Sequence, residues 1–188
     1  RQRTEAIRQF SIEVERAAPD RVHTVRYGLD PATVQAPPGA RDALCAALDL
    51  PPGALIAGSV CRLIEQKGLS YALRGFAPVA AQVPQAHYVI VGDGPLRGDL
   101  EAEARALGLA GRVHFLGWRE DARAVMAALD LLLAPSLWEG FGLVFLEAMA
   151  LGVPVLAARV SAIPEVVIDS ETGWLVPARD SGAITAAL

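Results

Sequence analysis

Two glutamates eight positions apart, Glu139 and Glu147, frame the part of the chain whose residue types could do chemistry. They lie in Ser-Leu-Trp-Glu-Gly-Phe-Gly-Leu-Val-Phe-Leu-Glu-Ala-Met-Ala, residues 136–150, behind a strand-like apolar run closed by Pro135. Gly140 and Gly142 would let the backbone turn tightly and come close to a ligand. A helix starting near Gly142 would point its unpaired backbone N–H groups at the same place, which suits a phosphate. Glu147 is the only charged side chain of that helix, among Leu143, Val144, Phe145, Leu146, Ala148, Met149, Ala150 and Leu151. A helix apolar nearly all round is a buried one, and a buried carboxylate is costly unless it is hydrogen-bonded. Sugar hydroxyls would satisfy it; the alternative is that Glu147 marks one narrow exposed stripe.

A second constellation is Ser-Val-Cys-Arg-Leu-Ile-Glu-Gln-Lys-Gly, residues 59–68. Arg62 and Lys67 stand at the end of a strand, with Gly68 opening the next helix. Two cations there can share the charge of a diphosphate, arginine as a planar fork and lysine as a point charge. They could equally be a pair of solvated loop cations. A third is Val-Ile-Val-Gly-Asp-Gly-Pro, residues 89–95, with glycines between a strand and a helix. It suggests a dinucleotide loop only weakly, because the next strand ends in Gly117-Trp118 and supplies no acid for an adenosine ribose. Asp93 serves as well as a helix N-terminal cap.

These segments need a frame that gathers strand ends. Strands are expected at 22–27, 54–61, 87–91, 113–116, 130–134, 153–157 and 174–176, several of them continuous apolar runs that suit parallel strands covered on both faces. Helices are expected between them at 40–48, 69–82, 96–107, 120–129 and 142–151. Gly108 and Gly152 stand where helices should stop, and Pro154 follows shortly after. Alternating strands and helices with short links give an α/β fold with a doubly wound, Rossmann-like parallel sheet. Ligands of such sheets gather at the carboxyl ends of the strands, which is where all three constellations fall.

The Glu-Gly-Phe-Gly loop with its second glutamate, inside Glu-Ala-Met-Ala-x-Gly-x-Pro-Val, resembles the retaining glycosyltransferases of family 4, whose fold is called GT-B. The resemblance runs from about Val22 to Asp180 and implies the C-terminal, nucleotide-sugar-binding half of such an enzyme. It implies that Glu139 contacts the donor sugar, with Arg62 and Lys67 clamping the diphosphate; these three are the implied catalytic residues. The loop 140–144 (Gly140, Phe141, Gly142, Leu143 and Val144) would hold the sugar and the distal phosphate, and Glu147 the ribose hydroxyls. Gly92 and Gly94 would line the donor cleft, with Leu116 against the base. Two departures stand out: Cys61 where the family commonly has Gly, and Ala162-Ile163 where it usually has Gly-Gly.

The implied reaction moves a hexose-like sugar from a nucleotide diphosphate sugar to an acceptor hydroxyl with retention. The acceptor would be a sugar, a lipid or another hydroxyl compound bound by an N-terminal domain. No metal is expected, since no Asp-x-Asp occurs, and no cofactor besides the donor. UDP, GDP and ADP donors are not told apart. Residues 1–20 are expected to be a linker helix, over 4–17, from that N-terminal domain. Residues 21–188 would be the donor-binding domain, cut short at its C-terminus within a helix. Such a fragment is expected to bind nucleotide and transfer sugar poorly. A non-catalytic nucleotide-binding module is one alternative, and a phosphorylase-like or sugar-phosphate-synthase-like enzyme on the same fold is another.

Composition narrows the classes. Hydrophobic residues at 53% and charged residues at 20% fit a globular core. A net charge of −4 supplies no basic field for nucleic acid. The longest apolar stretch, 143–160, is interrupted by Glu147, Gly152, Pro154 and Arg159, so it does not read as a membrane span. Arg1 opens a charged segment unlike a signal peptide. Cys45 and Cys61, without a C-x-x-C pairing, read as free thiols of a reducing compartment, and the three histidines read as structural. The expected location is cytoplasmic, with association of the full-length protein at the inner face of a membrane left open.

Overall fold

The computed structural model describes residues 11–23 and 28–188. Half of the expected helix at 4–17 and most of the expected strand at 22–27 lie outside the described residues; of the described part of that helix, residues 11–13 are helical and 14–17 are not. Six strands form one sheet: β1 (Leu55–Val60), β2 (Ala86–Val91), β3 (Val113–Gly117), β4 (Leu131–Ala134), β5 (Val155–Ala158) and β6 (Gly173–Val176). All neighbouring pairs are parallel, in the order β3-β2-β1-β4-β5-β6. The order reverses between β1 and β4, the switch point where a doubly wound sheet opens a crevice.

The helices are α1 (Ala40–Ala47), α2 (Leu69–Gln82), α3 (Arg97–Ala106), α4 (Ala122–Ala127), α5 (Leu143–Ala150), α6 (Ile163–Val166) and α7 (Ser181–Ala187). Strand side chains alternate between two cores. Ile56, Val89, Val91, Leu132 and Val155 join α1, α4, α5 and α6 on one face through Leu44, Met126, Phe145 and Ile163. Tyr88, Ile90, Leu133, Leu156 and Val176 meet α2, α3 and α7 on the other through Phe76, Leu100 and Ile184. Both faces are covered, which is why β2 is buried along its whole length and reads as a continuous apolar run. The expected strands and helices from residue 40 onward all form, within one or two residues of their expected ends. The short α6 was not anticipated: four residues carrying Pro164 in the first turn are too few for a helical period to show.

Beneath the site, the amino ends of β1 and β4 are fastened by Arg41. Its guanidinium donates to the Ala54 and Ala128 carbonyls and to both oxygens of Asp130 at 2.6–2.9 Å. Asp130 in turn accepts from the Ile56 amide. Loop carbonyls that would otherwise lack partners are satisfied, and the two strands that bracket the crevice are tied at one end.

Candidate active site

Three loops leave the carboxyl ends of β1, β2 and β4 and interlock through their backbones. Cys61 N–H donates to Val91 O at 3.0 Å, Leu63 N–H to Asp93 O at 2.9 Å and Leu96 N–H to Leu63 O at 3.1 Å. Glycine is required where they touch. At Gly92, with φ +121°, a Cβ would sit 1.9 Å from the Cys61 carbonyl oxygen; at Gly94 it would sit 2.5 Å from that of Leu63. The role these two glycines visibly play is therefore to let the 61–63 loop approach, which fixes the base of Arg62. Gly68 repeats the device against the β4 loop, since a Cβ there would lie 2.2 Å from Pro135 O.

Gln66 completes the tie. Its carbonyl accepts from Leu137 N–H at 2.7 Å, and its side-chain amide donates to Trp138 O at 3.0 Å. Sequence reasoning missed Gln66; its position inside the Arg-Leu-x-x-x-Lys-Gly pattern was the available signal.

Held this way, Lys67 from the β1 loop meets Glu139 from the β4 loop, Nζ to Oε2 at 2.5 Å, with side chains only 19% and 11% exposed. Arg62 is exposed and makes no ion pair or side-chain hydrogen bond among the described residues. One N–H of Lys67 is engaged by Glu139, which leaves two, together with the fork of Arg62, for an anionic ligand. Cys61, Pro135, Ser136 and Val144 line the same hollow. Burial pushes the Cys61 thiol up to about 12, with Lys67 opposing and Glu139 adding to the rise, so it is a protonated, inert wall at neutral pH. The Cys61 side chain lines the hollow while its backbone N–H holds Val91 O. Ser59 and Tyr88 share a buried hydrogen bond at 2.7 Å beneath, and Ser59 also donates to Leu133 O.

The helix α5 starts at Gly142, whose φ of +76° is left-handed. A Cβ there would lie 2.3 Å from the Phe145 ring and 3.3 Å from Glu139 Cγ, so only glycine fits between them. Phe145, fully buried, anchors the first turn. The first amides of the helix, at Leu143 and Val144, precede its first i→i−4 bond and have no intrahelical partner, and Val144 lines the hollow with Lys67 and Glu139. Gly140 differs from expectation. It has no neighbour within 4 Å of a Cβ and no left-handed φ, so the tight turn rests on Gly142 alone.

The helix is also not buried all round. Phe145 and Ala148 are buried, whereas Leu143 is 44% exposed and the rest lie between. The Glu147 side chain is 22% exposed and already has a partner: Arg123 on α4 donates from Nε at 3.0 Å and from Nη2 at 2.8 Å to Oε1. Arg123 escaped sequence analysis because nothing local marks a contact between residues 24 positions apart.

Leu116 on β3 is half-buried against the first core, and Trp118 just beyond is 72% exposed. Arg97 reaches over Gly117, held by Asp93 at 3.2 Å and Glu101 at 2.9 Å. Asp93 also accepts from the Gly94 amide at 2.7 Å, which is a bond within the loop and not a helix cap: α3 begins at Arg97, and its N-cap position, Leu96, has no side-chain cap bond. Far from the crevice, near the start of β2 and β3, His87 Nδ1 and His114 Nε2 stand 3.2 Å apart. Among the described residues no group of three or more His, Cys, Asp or Glu side chains is placed to hold a metal.

The architecture is the Rossmann-like α/β fold of the C-terminal domain of GT-B glycosyltransferases, and comparison with known proteins agrees. The family described as "Glycosyl transferases group 1" matches residues 53–188. The D-inositol 3-phosphate glycosyltransferase of Mycobacterium sp. (strain KMS) is 37% identical over 187 residues, covering 95% of this chain and 41% of the relative. The lipopolysaccharide core biosynthesis glycosyltransferase LpsE of Rhizobium meliloti (strain 1021) is 34% identical over 143 residues, covering 76% and 41%. The crystal structure of Anabaena Alr3699/HepE in complex with UDP-glucose superposes with a TM-score of 0.85 at 28% identity, over 98% of this chain and 51% of that one. The chain belongs to the group 1 glycosyltransferase family. It spans about 41% of the length of the curated relatives named here.

Proposed function

We propose that this domain binds the nucleotide diphosphate sugar donor of a retaining hexosyltransferase. The carrying observation is the convergence of Arg62, Lys67, Glu139 and the N-terminus of α5 at the β1/β4 switch point, locked together by the Lys67–Glu139 ion pair. A diphosphate leaving an anomeric carbon gathers negative charge. Two cations and a helix N-terminus set in advance around that charge stabilise it more than they stabilise the bound donor. Glu139, held by Lys67 in the same hollow, would take the hydroxyls of the donor sugar, and Glu147 those of the ribose. Gly140, Phe141, Leu143 and Val144 supply the wall and amides around the distal phosphate and sugar, while Leu116 borders the base.

The acceptor is a sugar, a lipid or another hydroxyl compound held by a further domain of the full-length protein. The proposed location is cytoplasmic. No helix among the described residues is long and apolar enough to cross a membrane.

A thermal-shift screen of UDP-, GDP- and ADP-sugars tests the donor assignment, since a ligand bound only by the native state raises the melting temperature by mass action. A rise with one nucleotide series is the expected result, and no rise with any would contradict it. Retention is tested on the full-length protein by the anomeric configuration of the product.

A further inference from the structure

Glu147 is given the ribose hydroxyls by the reading above, and the structure shows what holds it ready. Arg123 aims two donors, Nε and Nη2, at one oxygen, Oε1. Oε2 accepts no hydrogen bond from Arg123, and the carboxylate keeps lone pairs for further donors. The contact adds little to the fold, because the Arg123 side chain is 51% exposed and exposed ion pairs contribute little to stability. Its geometric effect is larger. A glutamate side chain turns about three bonds, and a fork on one of its oxygens fixes the plane of the other.

We propose that Arg123 is a positioning residue, which orients Glu147 so that Oε2 meets the vicinal hydroxyls of a nucleotide ribose and so sets a preference for ribo- over 2′-deoxyribonucleotides. This rests on the donor-site reading. A lysine would supply the charge but not the fork.

The test is calorimetric binding of UDP and 2′-deoxy-UDP, or of the matching GDP or ADP pair where that base binds more tightly. It compares the wild type with Glu147→Ala, Arg123→Leu and Arg123→Lys. The wild type should favour the ribonucleotide by about tenfold, the size of one hydrogen bond to a charged group. Glu147→Ala should abolish the preference. Arg123→Leu should lower it to about twofold or less, with affinity for the deoxynucleotide nearly unchanged, and Arg123→Lys should fall between. A purely structural role would weaken both nucleotides alike or lower the melting temperature, and either result would overturn the proposal. So would an Arg123→Leu variant that keeps the wild-type ratio while Glu147→Ala loses it; that outcome leaves the ribose assignment standing. If Glu147→Ala itself keeps the ratio, the ribose assignment fails and the proposal with it.

Discussion

Lys67 and Glu139 meet at 2.5 Å across two loops, 72 positions apart in the chain. Both are mostly shielded from water, so each is the other's main compensation. Replacing Lys67 with Ala strands the Glu139 carboxylate and should cost about 1–3 kcal/mol in urea unfolding. Glu139→Gln should cost less, since the amide oxygen still accepts from Lys67. In the double variant the two costs should fail to add by more than about 0.5 kcal/mol; additivity within that margin would show the pair to be uncoupled.

The interlocked loops predict opposite outcomes at two glycines of the site. Gly92→Ala places a methyl group inside van der Waals contact of the Cys61 carbonyl, at a left-handed φ, and should destabilise by about 1–3 kcal/mol while displacing Arg62. Gly140→Ala meets open space and should change stability by no more than about 0.5 kcal/mol. Urea midpoints of the two variants decide the matter. Equal midpoints would mean that the loop contact does not constrain the fold.

Arg62 predicts a separation of stability from binding. It is exposed and unpaired among the described residues, so Arg62→Ala should unfold within about 0.5 kcal/mol of wild type. Diphosphate binding should weaken by about tenfold, with a shallower salt dependence. Unchanged affinity would return Arg62 to the role of a solvated loop cation.

The sequence carried the frame well because the strands are apolar runs flanked by Gly or Pro, and every expected helix, unlike the four-residue α6, has room for a period. The residue types of the candidate site were legible too, since Arg62, Lys67 and Glu139 follow apolar strands and Glu147 is the one charge inside an apolar helix. The sequence did not carry the pairings. Lys67 with Glu139, Arg123 with Glu147 and Gln66 with Trp138 depend on strand order, which local pattern does not encode. The burial of α5 was overread for a related reason. Leu143 in the first turn and Met149 at the other end, beside residues 152–154 and 170–174, are apolar yet partly open, because which faces of a helix are covered depends on its tertiary neighbours.

The His87–His114 contact predicts a pH dependence. Burial holds His87 below its usual value of 6.5, with Arg112 adding to the effect; burial also lowers His114, with His87 adding. The unfolded chain therefore takes up protons first as pH falls. Stability should be full above about pH 6.5 and decline as pH drops through the native values. Asp121, held low by Arg119, and Asp169, held low by the Leu175 amide and Arg159, should lose their contributions only below about pH 4. Urea midpoints between about pH 5 and 7 should be flatter in a His87→Phe/His114→Phe variant. An unchanged slope would assign the decline to other groups.

Calorimetry of this chain with a nucleoside diphosphate and the matching nucleoside, for the uridine, guanosine and adenosine pairs, tests the donor-site assignment most directly. The account predicts that at least one diphosphate binds, about tenfold or more tighter than its nucleoside, and that Arg62→Ala/Lys67→Ala removes most of that difference. Binding by none of the three, or equal binding of diphosphate and nucleoside, would contradict it.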